Sequence, residues 1–207
     1  MTGGLSRDDL RKLVQRVFVP GPEDRGLAVM VDLPDAKLPD HLEWRQRRSL
    51  ARQWAELLAA EKTALGLERI TLAWYCNCGS NNADLPATWV AGDLAETLHE
   101  AGELAGRSAR PFAELFAQHS LILAPTELSA TAPLKVAARG QTFRAATMPG
   151  FLPEMIPALK VDYGEVNRRV NLLKELCDAA ESARLILSAA GQKHELNLDL
   201  RHRTAHA

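Results

Sequence analysis

The chain has 207 residues, 46% hydrophobic and 25% charged, with a formal net charge of -1. That balance suits a globular protein long enough to bury a sizeable core without staples, and it lacks the basic excess expected of a nucleic-acid binder. Three cysteines, an odd number, argue against a disulfide framework. The sequence shows neither a basic start followed by an apolar run nor an apolar stretch near 20 residues, so a cytoplasmic location without a membrane span is expected.

The elements follow in chain order. SRDDLRKLVQRVFV opens with Ser6 as a helix cap, acids in the first turn, and Leu10, Leu13, Val14 and Val17 at helical spacing. PGPEDRG (20–26) ends that helix, and LAVMVDLP (27–34) is a short apolar run suited to a strand buried on both faces. A long helix is expected from about Asp40 to Leu65, with Trp44, Ala51, Trp54 and Leu58 along one side and Gly66 as its stop. Its arginines, Arg45, Arg47, Arg48 and Arg52, interleave with Trp44, Leu50 and Trp54, which reads as a solvated face rather than a phosphate patch. ERITLAWYCN (68–77) is a second strand, rich in β-branched and aromatic residues. TWVAGDLAETLHEAGELAGR (88–107) and RPFAELFAQH (110–119) read as helices. SLILAP (120–125) and QTFRAATMPG (141–150) are further strands, and 127–140 is helical in its second half. DYGEVNRRVNLLKELCDAA (162–180) is an amphipathic helix, and ARLILSA with HELNLDL, joined by AGQK, forms a β-hairpin.

Strands alternating with helices predict an α/β fold: a mainly parallel sheet flanked by helices, closed by a hairpin near the C-terminus. The expected division is an α/β domain over 1–180 and, over 181–207, a hairpin and the start of an interrupted connection to a missing catalytic domain. Ligands of such sheets favour the crevice beyond the carboxyl ends of the strands. Here those ends are DLPD, NCGSNNADLP, APTELSAT and TMPG.

Each end carries residues capable of chemistry. Cys76 and Cys78, one residue apart, have only Cys177 as a further thiol, too few for a structural zinc site and too close for the usual redox pair. Cys76 is then a small buried hydrophobe at a strand end. Asn81 and Asn82 suit a left-handed turn with side-chain caps, the alternative being ligand hydrogen bonds, and Asp84 with Pro86 suits the start of a helix. Ser129 lacks a nucleophile elbow, so Thr126, Ser129 and Thr131 read as helix caps. Asp32, Asp35 and Asp40 read as solvated loop acids. His202 and His206 are four apart but stand on a strand-like segment without a neighbouring glutamate, so a frayed end is favoured over a metal site. No phosphate-binding glycine motif is present.

Taken in order, DLPD…W..RR, CGSNNADLP, TELSATAPLKVAARG, FRAATMPGF…M…L..DY and LNLDLRHR resemble the amino-terminal half of the thermophilic-aminopeptidase family, the leucyl aminopeptidase (aminopeptidase T)-like metallopeptidases. The resemblance spans about residues 15–203 and contains no catalytic motif. It implies an α/β amino-terminal domain beside a separate carboxy-terminal domain that carries a divalent two-metal centre, or a single iron in the related ring-cleaving dioxygenases. No family metal ligand falls on any residue here, so no catalytic, cofactor-binding or metal-ligating residue is assigned and no cofactor is expected within these residues. The expected partners are a second copy or a separate catalytic half, with a peptide or small-molecule substrate in the full-length family and neither nucleic acid nor membrane. The expectation is a non-catalytic domain of an aminopeptidase-like hydrolase, interrupted before its catalytic part. The rivals are a stand-alone small-ligand module, with the asparagine loop as its mouth, and the corresponding domain of an iron dioxygenase.

Overall fold

A computed structural model describes residues 4–205. The chain divides into two compact units, Met1–Leu159 and Lys160–Ala207. The sequence reading placed its boundary after residue 180; the division falls earlier, and the last helix is grouped with the hairpin.

In the first unit, helix α1 (Arg7–Phe18) starts where expected. Ser6 accepts a hydrogen bond from the Asp9 amide while the Asp9 carboxylate accepts from the Ser6 amide, a reciprocal capping box. Strand β1 (Gly26–Leu33) is buried along its whole length. Helix α2 (Leu42–Glu61) returns the chain to strand β2 (Arg69–Cys76), which lies parallel to β1. Between them the backbone turns through Gly66 at φ +71°, a value glycine adopts without steric cost.

The segment 88–107 is not a helix. Thr88–Gly92 forms strand β3, antiparallel to β2, and only Ala101–Leu104 coils, as a single 3-10 turn. Thr88, Trp89 and Val90 favour a strand, and Gly92 lies so close to β2 that a Cβ there would stand 2.3 Å from Trp74 Nε1. A short strand β4 (Ala109–Pro111) extends the antiparallel side before helix α3 (Phe112–Gln118). Strand β5 (Leu121–Ala124) then enters parallel to β1 on its other side. Helix α4 (Thr131–Ala137) leads to strand β6 (Arg144–Thr147), parallel to β5.

The sheet order is β4-β3-β2-β1-β5-β6. Its four central and right-hand strands are parallel, as expected of the class, and its left edge is an antiparallel meander. Alternation along β1 feeds two cores. Leu27, Val29, Val31 and Leu33 pack with the apolar faces of α1 and α2, while Ala28 and Met30 pack with Phe112, Phe116, Leu134 and Phe143. The chain runs from β1 outward to β2, then begins again on the opposite side at β5, so the topological switch lies between β1 and β5.

The second unit holds helix α5 (Tyr163–Ala179), capped by Asp162, and an antiparallel hairpin of β7 (Ser182–Ala189) and β8 (Gln192–Asp199). Ala190 and Gly191 turn the hairpin with φ of +49° and +77°, the geometry of the tightest hairpin loops. Register sorts its faces: Ala183, Leu185, Leu187, Leu196 and Leu198 share one side, and Arg184, Lys193, Glu195, Asn197 and Asp199 share the other. No described residue of this unit is buried. Among the described residues no helix is long and apolar enough to cross a membrane.

Candidate functional site

The switch-point crevice is filled by the protein's own carboxylate. Asp32, next to last in β1, is 1% exposed. Its two oxygens accept the backbone amides of Glu127 (2.8 Å) and Leu128 (2.9 Å) from the loop after β5. Trp44 Nε1 donates to the Asp32 carbonyl at 3.1 Å and lies 3.3 Å from Oδ1. Burial pushes the Asp32 carboxyl up to about 6, against the pull of the Leu128 and Glu127 amides and with the Glu127 carboxylate adding to the rise. The reading of Asp32 as a solvated loop acid is therefore corrected. The strand ends at Leu33, just before Pro34, which leaves Asp32 inside the β1–β2 ladder with its carboxylate on the loop after β5. The buried Tyr75 hydroxyl, desolvated and near Asp32, is held far from ionisation.

Nor do the arginines of α2 form a single solvated face. Arg45 and Arg52 are on the outer side, but Arg47 and Arg48 are 3% and 1% exposed. Arg48 grips both oxygens of Asp40 at 2.9 Å, a bidentate pair. Burial alone would raise Asp40, but Arg48 and Arg45 outweigh it and hold that carboxyl below the usual range. Arg47 Nε donates to the Phe151 carbonyl at 2.9 Å, and its guanidinium pairs with Glu127. His41 Nε2 stands 3.5 Å from the other Glu127 oxygen. The helical spacing was read correctly; what allows Arg47 on the inner face is an ion pair 80 positions away and a carbonyl 104 positions away, outside any local pattern, while the partner of Arg48 stands 8 positions before it.

The asparagine loop does structural work. Asn82 has φ +62°, the left-handed turn anticipated for it. Its amide donates to the Ser129 carbonyl at 2.7 Å, and its side-chain oxygen accepts the Ala132 amide at 3.0 Å. Ala132 lies in the first turn of α4, whose own cap residue, Ala130, has no side chain to offer. Asn82 thus caps a helix from across the sheet. Asn81 Oδ1 accepts the Ser129 amide at 2.8 Å, and Ser129 Oγ lies 3.0 Å from Asn82 Oδ1 and 3.4 Å from the Thr131 amide. Thr131 and Thr147 hydroxyls, 2.8 Å apart, carry the chain of polar contacts on to β6. Thr126, buried, donates to the Leu128 carbonyl at 2.6 Å. Capping and turning were the right chemistry for this set, although the principal cap comes from Asn82 rather than Ser129. Asp84 and Pro86 lead into strand β3 and not into a helix.

Between the loops after β1 and β2 lies a cavity of about 410 Å³, lined by residues that include Asp35, Lys37, Asn77, Cys78 and Asp84. Asp35 is tied down by the Lys37 and Leu38 amides at 2.9 and 2.8 Å, and the Leu38 bond above all holds its carboxyl below the usual value. Asn77 is fixed by bonds to the Leu33 carbonyl and the Gly79 amide. The Lys37 and Asp84 side chains, by contrast, make no hydrogen bond or ion pair with other described residues. Desolvation, together with the carboxylates of Asp32 and Asp84 and the neighbouring Cys76, pushes the Cys78 thiol up to about 11. It stays protonated at neutral pH and is a poor nucleophile. Cys76 is half-buried, its thiol also raised by desolvation. The loop contributes Asn77, Cys78, Gly79, Asp84 and Pro86 to the cavity wall, while Asn81 and Asn82 bond Ser129 and Ala132 instead.

His119 is internal to the fold, bonded to the Leu115 carbonyl and Thr71 at 2.9 and 2.8 Å, and burial lowers its pKa. His202 sits in a turn at φ +64°, and His206 lies outside the described residues. Among the described residues no group of three or more His, Cys, Asp or Glu is placed to hold a metal ion. Lys37 and Asn77 escaped the sequence reading because neither forms a motif; the signal available was position alone, just past the ends of two adjacent parallel strands. No family model, curated protein or solved structure matches the chain.

Proposed function

We propose that this chain is the amino-terminal, non-catalytic domain of an aminopeptidase-like, metal-dependent hydrolase, in which it shapes the approach of substrate to a catalytic domain lying outside these residues. The observation that carries this reading is the second unit. Leu172, Leu173 and Leu176 on α5 and Leu185, Leu187, Leu196 and Leu198 on the hairpin are 41–70% exposed. A two-stranded hairpin is marginal in water on its own and needs a partner for its apolar face. A catalytic domain is the partner that the family resemblance suggests. The resembling stretches also supply the interlocked strand ends, namely Asp32, Asn82, Ser129 and Phe151.

The test is turnover of leucine p-nitroanilide with added cobalt, zinc or manganese. The chain alone is expected to show none, and the reading frame extended through the DNA beyond the last codon is expected to show metal-dependent activity. Turnover by the chain alone, or silence of the extended protein, overturns the proposal.

The cavity favours a second reading, a small-ligand module acting by itself. Its volume of about 410 Å³ lies within the range of small-molecule sites, roughly 300–1,000 Å³. Lys37 and Asp84 are its unpaired charges. A ligand found by screening should then lose affinity in both Lys37→Met and Asp84→Asn with thermal stability unchanged. Binding that survives both changes would dismiss this reading.

A further inference from the structure

The β7–β8 sheet has two strands and hence two open edges. An open edge presents a row of unpaired amides and carbonyls and is a template for another strand. Every described residue of β8 is exposed. The charges of β8 are what a self-complementary edge requires. For two β8 strands to pair antiparallel about a twofold axis with their apolar faces on the same side, the axis must pass through a residue rather than between two, because side chains alternate with period two.

Four axes give pairings of useful length. Centred on Glu195, the strand places that carboxylate opposite its own copy. Centred on Asn197, it places Glu195 opposite Asp199, twice. Centred on His194, it avoids like charges but pairs fewer residues. Centred on Leu196, it pairs the strand from Lys193 to Asp199 with no like charges opposed. Lys193 then faces the second copy's Asp199 at both ends, Glu195 faces Asn197, His194 faces Leu198, and Leu196 faces itself.

We infer that β8 is an interface with a second copy of this chain, paired antiparallel about Leu196 to make a four-stranded sheet β7-β8-β8-β7. The sheet would carry Leu185, Leu187, Leu196 and Leu198 of both copies on one continuous face. The pairing uses the strand edge and leaves that face free for whatever covers it, so it does not depend on the hydrolase reading. Strand β7 has no such code: Arg184 is its one charged residue, and nothing there sets a register.

Charge reversal across the twofold tests it. Lys193 and Asp199 are exposed; Asp199 also accepts the Arg201 amide and guanidinium within its own chain at 2.9–3.1 Å, so circular dichroism checks the fold of each variant and Lys193→Glu, which leaves those bonds in place, carries the comparison. In sedimentation equilibrium the wild-type chain is expected to dimerise. Lys193→Glu, which opposes Glu to Asp199, and Asp199→Lys, which opposes Lys to Lys193, should each raise the dimer dissociation constant by about ten-fold or more, since each change acts at two symmetric pairs. The double variant K193E/D199K restores opposite charges and should recover dimerisation. A monomeric wild-type chain, single variants that dimerise as well as wild type, or a double variant no better than the singles would each overturn the inference.

Discussion

Replacing Asn82 separates the two functions that residue performs. Asn82→Ala removes the acceptor of the Ala132 amide, held at 3.0 Å, and places alanine at φ +62°. Loss of a cap costs about 1 kcal/mol, and the left-handed conformation costs an ordinary residue about 1 kcal/mol more. The sum, about 2 kcal/mol, corresponds to a fall in Tm of about 4–8 °C for a unit of this size. Asn82→Gly keeps the backbone geometry without strain and loses only the acceptor, so it should cost about half as much. The backbone bond from the residue-82 amide to the Ser129 carbonyl, 2.7 Å, survives in both variants. Urea denaturation followed by tryptophan fluorescence is the assay: Trp44, Trp54, Trp74 and Trp89 are all buried in the first unit, so the signal reports that unit alone. If Asn82→Ala stays within about 0.5 kcal/mol of wild type, the range of an ordinary surface change, the capping account is wrong. It is equally wrong if glycine proves worse than alanine.

Two other perturbations follow from the crevice. The Asp32 carboxyl, at about 6 when folded against 3.8 as its ordinary value, takes up a proton more readily folded than unfolded. Its contribution to stability is complete below the ordinary value and disappears as pH rises through about 6; the full span is about 3 kcal/mol by linkage. Buried His119, with its pKa lowered, contributes the opposite slope over this window in wild type and variant alike, so the difference between them isolates Asp32. From pH 7 to 5 the wild type should gain stability relative to Asp32→Asn, and urea midpoints of the two that move in parallel contradict the assignment. Arg47→Ala leaves the Phe151 carbonyl and the Glu127 carboxylate without their shared donor and should cost about 3 kcal/mol or more. A urea midpoint that barely moves would show that Arg47 is not holding the loop after β5.

Much of the fold was legible because its strongest signals are local. Ser6 as a cap, the unbroken apolar run of β1, and the hairpin link at AGQK each act within a few residues and were read from the residues at hand, although the turn itself is only Ala190 and Gly191, while Gln192 and Lys193 already belong to β8. The stretch 88–107 misled because its alanines, leucines and glutamates favour a helix, whereas β3 exists through pairing with β2 and the glycine contact at Trp74, both tertiary. Asp32 and Arg47 failed for one shared reason. A charged side chain is tolerated inside only where its partner is supplied, and the partners, Glu127, Phe151 and the amides after β5, lie some 80 to 104 residues along the chain. Arg48 is different: its partner, Asp40, stands only 8 residues before it, and no motif marks the pair. The asparagine loop was read correctly in kind but not in target, since the helix that Asn82 caps begins 49 residues later, at Thr131. The cavity between the first two strand ends was legible as a location and illegible as a set of residues.

Strand β1 is the common wall of both apolar cores, with alternate residues committed to opposite sides and neighbours hydrogen-bonded on each edge. Neither core can open while the other stays shut, because freeing one face releases the same backbone that supports the second. Deuterium should therefore reach the amides of Val29 to Val31 last of any in the unit, and at a rate set by unfolding of the whole.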